Sequence, residues 1–108
     1  MNIAVAQPAV TELRLESVLA ALADPVRLAL VRVLAGQGES ACYHAAHQAG
    51  LTISRSTVSH HLRILRNAGV ISQRVEGTAR IVRLREDDLA ACFPGLLEAV
   101  LNAPAPRD

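Results

Sequence analysis

The feature that most constrains the fold of this chain is a change of hydrophobic period at Gly69. Before it, an amphipathic helical pattern starts at Ser54 as a cap, with a stripe of Val58, Leu62 and Leu65 predicted to be buried. After it, two β-branched runs at 70–75 and 79–84 flank a Glu-Gly-Thr turn and predict a β-hairpin. The chain is therefore expected to be mainly helical with one small hairpin.

Start and stop signals predict three helices before this unit. A first helical pattern begins at Thr11, which is its predicted cap. Asp24-Pro25 marks the start of the second helix, because Asp caps free amides and Pro fits the first helical position. We expect the second helix to end at residues 36–38 and a third to cover Ser40 to Gln48.

The region after the hairpin predicts one more helix and completes a single domain. The acidic run at 86–88 caps this helix, and Pro94 kinks or restarts it. A chain of 108 residues has room for one domain, which we place at 11–102 between a flexible N-terminus (1–10) and a frayed tail (103–108). Helix, short turn, helix and hairpin is the order of a winged helix-turn-helix, with the helix before the hairpin as its recognition helix.

Arginine is concentrated in the recognition helix and the hairpin. The whole chain has a formal charge of +1, but residues 55–85 hold seven Arg against one acid, Glu76, and so carry +6. The remaining residues hold four Arg against nine acids, or −5. A basic block inside a structured domain indicates a polyanionic partner.

The recognition helix turns a polar face away from its buried stripe. At about 100° per residue, the outward side carries Arg55, Ser56, Ser59, His60, Arg63 and Asn67. Hydroxyls and imidazole near its N-terminal end can approach base edges, while Arg63 and Arg66, farther along, meet backbone phosphates. Three hairpin arginines supply charge for the neighbouring minor groove or its phosphates: Arg74, Arg80 and Arg83.

Two other classes of protein compete with this interpretation. One is a winged-helix protein-interaction module without DNA binding, whose arginines are simply solvated. The other, an enzyme, is excluded because the two candidate nucleophile–base pairs lack an orienting carboxylate and a deep pocket. These pairs are Cys42 with His44 and Ser56 with His60.

The sequence also predicts a cytoplasmic protein without membrane contact. The N-terminus lacks the basic region and long apolar core of a signal peptide. The longest charge-free run, residues 40–54, contains His and Gln and is too short to span a bilayer.

The chain resembles the ArsR/SmtB family of bacterial winged-helix repressors in three segments, ALADPVRLALVRVLA, STVSHHLRILRNAGVI and VEGTARIVRLRED. The resemblance covers Leu19 to Asp88. It implies a homodimer built through the first and last helices, which binds an imperfect palindromic operator in double-stranded DNA and is released by a ligand. The base-reading residues that it implies by position are Arg55, Ser56, Thr57, Ser59 and His60, with Arg63 near phosphate.

The residues themselves also favour a dimer. One recognition helix in a domain of this size covers only one half-site. Apolar faces are left over at Thr11–Leu22 and Leu96–Leu101, and these need a partner. A dimer would place two basic blocks about one duplex turn (~34 Å) apart.

A metal sensor is one hypothesis for regulation. The ligand sets common in the family are absent, since the third helix starts without a CxC pair and the last helix holds no His. What remains is Cys42, His44 and His47, a thiolate and two imidazoles that suit zinc or copper(I). In an ideal helix Cys42 lies about 200° from His44, so the three converge only if the helix starts after Cys42.

A redox switch is a second hypothesis, implied by the persulfide- and oxidant-responsive members of the family. There, one Cys near the second or third helix pairs with one in the last helix, as Cys42 and Cys92 would here. A disulfide would clamp the dimer helices against the DNA-binding core. Thiols that merely fill space, another small-molecule effector, or no effector remain as alternatives.

Overall fold

The computed structural model describes residues 2–4 and 6–104, which form helices around one face of a small antiparallel sheet. The strands are β1 (Asn2–Ala4), β2 (Glu39–Ala41), β3 (Ile71–Glu76) and β4 (Ala79–Leu84). The helices are α1 (Leu15–Leu22), α2 (Pro25–Gln37), α3 (Cys42–Gln48), α4 (Arg55–Ala68), α5 (Glu86–Cys92) and α6 (Leu96–Asn102), preceded by a 3-10 turn (Val10–Glu12). This is the winged helix-turn-helix arrangement that the sequence predicts.

The helix boundaries around the recognition helix follow local signals. Asp24 caps α2, its Oδ2 accepting from the Val26 and Arg27 amides at 2.9 and 3.0 Å. Ser54 caps α4 by accepting from the Thr57 amide at 3.2 Å. Gly69 ends α4 with φ at +84°, a left-handed conformation that glycine adopts without a steric penalty. The predicted caps at Asp24 and Ser54 are confirmed.

The hairpin of β3 and β4 has a neighbour on each edge. The strand order is β1-β3-β4-β2, with every pair antiparallel. Asn2 pairs with Glu76 and Glu39 pairs with Arg83, so both outer edges of the hairpin are covered. The sequence predicts the hairpin alone, because β1 and β2 are three-residue strands without a repeating pattern of their own.

The core lies between α4, α2 and the sheet. The predicted stripe of α4 is confirmed, since Val58, Leu62 and Leu65 are buried. Other elements contribute further fully buried side chains to this core, including Leu30, Leu34, Ile71, Val82 and Leu89. This packing fixes which face of α4 points outward.

Several predicted boundaries are wrong, and tertiary contacts account for them. The first α-helix starts at Leu15, because Leu13 is extended and its side chain lies against Gly69. The third starts at Cys42, because residues 39–41 extend to pair with β4.

The ends of the chain also differ from the prediction. Arg85 is the N-cap of α5, so the acidic run occupies its first turn. At Pro94 the last helix divides into α5 and α6. Residues 2–4 of the segment expected to be flexible form β1, whereas residues 1, 5 and 105–108 lie outside the described part of the chain. No helix in the described residues is long and apolar enough to cross a membrane.

Candidate nucleic-acid interface

The outward face of α4 carries most of the side chains that the sequence assigns to DNA. Its exposed residues are Arg55, Ser56, His60, Arg63 and Asn67, while Thr57 and Ser59 are half-buried. At the N-terminal end the hydroxyls form a cluster, in which the Ser54 Oγ lies 3.0 Å from the Ser56 Oγ and 2.9 Å from the Thr57 Oγ1. Both hydroxyls thus contact the cap, but Ser56 is exposed whereas Thr57 is half-buried, so Ser56 and His60 are the more accessible groups for base edges.

Tyr43 of α3 contacts the candidate interface, a role that the sequence alone did not predict. The Arg55 guanidinium carbon lies 4.8 Å from the centroid of the Tyr43 ring, a cation–π contact. The Tyr43 hydroxyl lies 3.3 Å from the Ser59 Oγ, so one side chain contacts both ends of the first turn of α4. The only signal in the sequence was that Tyr43 is the single Tyr of the chain.

The adjacent histidines of α4 point to different surroundings. His60 is exposed on the outward face, as predicted, and its ring centroid lies 5.4 Å from that of His61. His61 faces the start of α2, where its Nδ1 lies 3.9 Å from the Asp24 Oδ2. Burial lowers the pKa of His61, and the Arg27 charge adds to the effect while Asp24 opposes it.

The three hairpin arginines lie on two different faces of the sheet. Arg74 pairs with Ile81 and Ser72 pairs with Arg83, so Arg74 and Arg83 share the outer face. Arg80 pairs with Val75 and lies on the inner face, which is the face toward α3 and α4. Only Arg80 therefore stands beside the recognition helix.

Arg74 is engaged by two carboxylates on that outer face. Its Nη1 and Nη2 donate to the two Glu39 carboxylate oxygens at 2.8 and 2.9 Å, and Nη2 also reaches the Glu76 Oε2 at 3.1 Å. These bonds raise the pKa of Arg74 and lower the pKa of Glu39. The predicted phosphate contact at Arg74 would require breaking this bidentate pair, so its charge is not free for DNA.

A cavity of about 50 Å³ opens between α4 and the hairpin, and we call it the notch. It is lined by Cys42, Ser59, Leu62, Arg63, Arg66, Gln73 and Arg80. The Arg66 Nη1 donates to the Gln73 Oε1 at 3.3 Å, which ties α4 to β3 across the notch. Three guanidinium groups and no carboxylate line this cavity, so its charge is strongly positive.

A larger cavity of about 490 Å³ lies on the outer face of the sheet. Its lining includes Arg83 and Arg85 together with the acidic run Glu86, Asp87 and Asp88. Arg85 is already paired there, since its Nη2 lies 2.9 Å from the Asp88 Oδ2. The carboxylates make this cavity a poor seat for a polyanion, so the interface belongs on the other face.

The candidate metal ligands are not brought together. Because α3 starts at Cys42, this side chain is buried with Ala45 and Ala46, while His44 and His47 lie exposed on the opposite side of the helix. Within 2–4 and 6–104, no group of three or more His, Cys, Asp or Glu side chains could hold a metal ion.

The two cysteines are free thiols in different environments. Cys42 is buried at the notch, and this burial raises its pKa. Cys92, at the end of α5, is half-buried and its Sγ lies 3.5 Å from the Val10 carbonyl oxygen. The proposed redox partners thus sit in unlike settings, one against the recognition helix and one against the N-terminal segment.

Comparison with known proteins places this geometry among transcriptional regulators. A family model described as "Bacterial regulatory protein, arsR family" matches residues 24–73, which span α2 through the first part of the hairpin. The chain is 35% identical over 81 residues to the uncharacterized HTH-type transcriptional regulator YceK of Bacillus subtilis (strain 168), covering 74% of this chain and 79% of that protein.

A second relative and a solved structure agree with this match. The HTH-type transcriptional regulator CmtR of Mycobacterium bovis is 37% identical over 81 residues, which are 75% of this chain and 66% of the relative. The crystal structure of a "Possible transcriptional regulator for arsenical resistance" superposes with a TM-score of 0.62 and 33% identity, covering 85% of this chain and 100% of that one.

Proposed function

The chain belongs to the ArsR family of bacterial regulatory proteins, and on this premise we propose that it is a homodimeric repressor that binds an imperfect palindromic operator in double-stranded DNA. Members of this family are DNA-binding transcriptional regulators and are not enzymes, and the same holds for this chain. The dimer, the repression and the individual contacts to DNA are what the proposal adds.

The observation that carries the proposal is the unpaired, exposed charge on the outward face of α4. Arg63 is exposed there and has no carboxylate partner among the described residues, in contrast to Arg74 and Arg85. An exposed imidazole lies about one turn before Arg63 at His60, and an exposed hydroxyl about two turns before it at Ser56. A helix with base-reading groups near its N-terminus and cations farther along suits the major groove and its flanking phosphates.

The exposed apolar side chains of α1 support the homodimer. Leu15 and Leu19 are 43% and 45% exposed, and their spacing of four residues places them on one face of the helix. Large apolar side chains that align in this way are typical of an association surface. Two copies joined there would present two recognition helices, as a palindromic operator requires.

Release of the operator by an effector completes the proposal. A metal held by Cys42, His44 and His47 is not favoured, because these side chains point to opposite sides of α3. A thiol-reactive effector has Cys92 as its first target, since Cys42 is buried.

Fluorescence anisotropy with labelled DNA from upstream of the gene, beside a scrambled duplex, tests DNA binding. We expect the affinity to fall with salt, with a log–log slope of about −0.9 per neutralised phosphate. Arg63→Ala should weaken binding to both duplexes and reduce the slope by about 1, while His60→Ala should relax the preference for the upstream DNA.

The matched control is Arg14→Ala, which removes an equal charge outside α4 and the hairpin, where Arg14 pairs with Glu16 on the surface. Binding that does not respond to salt, or no binding to the upstream duplex, would favour the protein-interaction module instead. Sedimentation velocity of wild type and Leu19→Glu tests the dimer, which a buried charge at that face should dissociate.

A further inference from the structure

We infer that the notch is a seat for one phosphate group of the DNA backbone, held between the recognition helix and the hairpin by Arg63, Arg66 and Arg80. This inference rests on the proposed function and specifies which contact couples the two parts of the interface. The ligand chemistry is a single tetrahedral oxyanion, for which a backbone phosphate and free inorganic phosphate are the two sources.

The size of the notch suits one small polyatomic group. Its volume is about 50 Å³. Since roughly 10–15 Å³ is enough to hold one water, the notch has room for a small polyatomic group. A phosphate group has four oxygens, whereas a base or a sugar is larger.

Arg66, which lines the notch, has one donor that the described residues leave without a partner. The Nε of Arg66 is buried and has no hydrogen-bond partner within the described part of the chain. Its Nη1 is held by the Gln73 Oε1, and Gln73 is itself only 5% exposed, so the guanidinium cannot swing away easily. A buried donor without a partner is unfavourable, and an anion that binds the Arg66 guanidinium would compensate for it.

The positive potential of the cluster reaches the floor of the notch. Burial is the largest influence on the Cys42 thiol and raises its pKa, while the charges of Arg80 and Arg66 act in the opposite direction. Both guanidinium groups are thus close enough to the same buried atom to favour negative charge there. Ser59 also lines the notch, and its hydroxyl can act as a further donor.

The hairpin contributes a single cation to this seat. Arg80 lines the notch from the inner face of the sheet, while Arg83 lies on the outer face, opposite Glu39 in the register. Arg80 and Arg83 are both exposed and belong to the same strand. Substituting one or the other therefore removes the same charge from opposite faces of the sheet, so each variant is a control for the other.

The experiment compares Arg80→Gln with Arg83→Gln in salt titrations of binding to the upstream duplex. We expect Arg80→Gln to reduce the log–log salt slope by about 1 and Arg83→Gln to leave it within error of the wild type. Thermal melts of both variants check that the fold persists. We expect it to persist because both side chains are exposed.

Competition by inorganic phosphate, at ionic strength matched with chloride, distinguishes the two sources. For a backbone seat, phosphate should displace DNA from the wild type more than chloride does, and this difference should vanish in Arg80→Gln. Phosphate that binds the notch without affecting DNA affinity would identify a free-anion site and overturn the inference.

The failure of the inference can be told apart from failure of the proposed function. The wild type could bind the duplex with a steep salt slope while Arg80→Gln and Arg83→Gln reduce that slope by the same amount. In that case only the phosphate seat is wrong. If the wild type does not bind duplex DNA, the proposed function is wrong and the backbone seat fails with it.

Discussion

The Nη1 of Arg27 lies 3.1 Å from the Nδ1 of His61, and this contact joins the start of α2 to the middle of the recognition helix. The same guanidinium donates through Nε to the Ala21 carbonyl oxygen at 2.6 Å, at the end of α1. Because arginine only donates, the Nδ1 of His61 must accept, which requires a neutral imidazole with its proton on Nε2. One side chain thus holds α1, α2 and α4 together, provided that His61 is uncharged.

Stability should therefore fall as the pH drops below the ordinary His pKa of about 6.5. Burial lowers the pKa of His61 in the folded protein, so below 6.5 the unfolded chain binds the proton more readily than the folded chain. The contribution is fully present above 6.5 and is lost as the pH falls toward the folded pKa. Urea unfolding from pH 8 to pH 5 measures it.

His61→Gln should flatten this pH dependence, because a glutamine oxygen can still accept from Arg27 but does not titrate. His47→Gln, which removes an exposed imidazole from α3, is the control and should retain the wild-type profile. Equal slopes for the wild type and His61→Gln would contradict this account.

Gly69→Ala should destabilise the protein by more than 1 kcal/mol, for two reasons. The φ of Gly69 is +84°, and a Cβ placed there would collide with the Leu13 Cδ2. Gly36→Ala, inside α2 with nothing near its added Cβ, should instead stabilise by about 0.5–1 kcal/mol. Urea denaturation of both variants gives the comparison, and a shift of the same sign in both would be inconsistent with it.

Ser54→Ala should cost about 1 kcal/mol by removing the N-cap of the recognition helix. The Ser54 Oγ accepts from the Thr57 amide, which would be left without this partner. Thr52→Ala, two residues earlier at an exposed position outside the helix, should change the unfolding free energy by less than half of that. Thermal denaturation measures both variants, and a midpoint for Ser54→Ala that is not lower than that for Thr52→Ala would contradict the capping role.

Arg85→Ala should release the segment before α1 and expose it to protease. The Arg85 side chain is only 10% exposed, and its Nη1 donates to the Pro8 carbonyl oxygen at 2.7 Å while its Nε and Nη2 bind Asp88. Thermolysin digestion followed by mass spectrometry should show faster cleavage around Val10 and Leu13. Arg14→Ala breaks an exposed ion pair that contributes little to stability. This variant should be cleaved at the wild-type rate. Faster cleavage in both variants would point to a general loss of stability.

Cys92 should react with iodoacetamide well before Cys42 in the native protein. Cys42 is 5% exposed and its pKa is raised by burial, so little thiolate is available at neutral pH. Peptide mass spectrometry over time gives the two rates, and in denaturant they should become similar. Comparable native rates would mean that α3 opens from the core, which would make Cys42 accessible to an effector as well.

The parts of the fold that could be predicted are those with local signals. Ser54, the stripe of α4 and Gly69 define the recognition helix within one continuous segment, and the hairpin follows from two adjacent β-branched runs. Each of these depends on backbone preferences and hydrophobic period, which a short window of sequence contains.

The parts that could not be predicted depend on pairing between distant segments. Glu39 and Arg74 are 35 residues apart, and only the order of the strands in the sheet brings them together. The same holds for β1 against β3 and for Tyr43 beneath Arg55. The sequence alone therefore predicts a uniform basic block, whereas the sheet separates the arginines beside the recognition helix from those that lie near carboxylates.

This separation makes the charge distribution of the molecule asymmetric. Arg63, Arg66 and Arg80 lie on one side of the sheet, while Glu39, Glu76 and the acidic first turn of α5 surround the arginines of the other. In the field of a duplex, such a charge distribution experiences a torque as well as an attraction. If the chain binds DNA as proposed, we expect this asymmetry to turn the recognition helix toward the duplex before contact and to disfavour encounters on the acidic side.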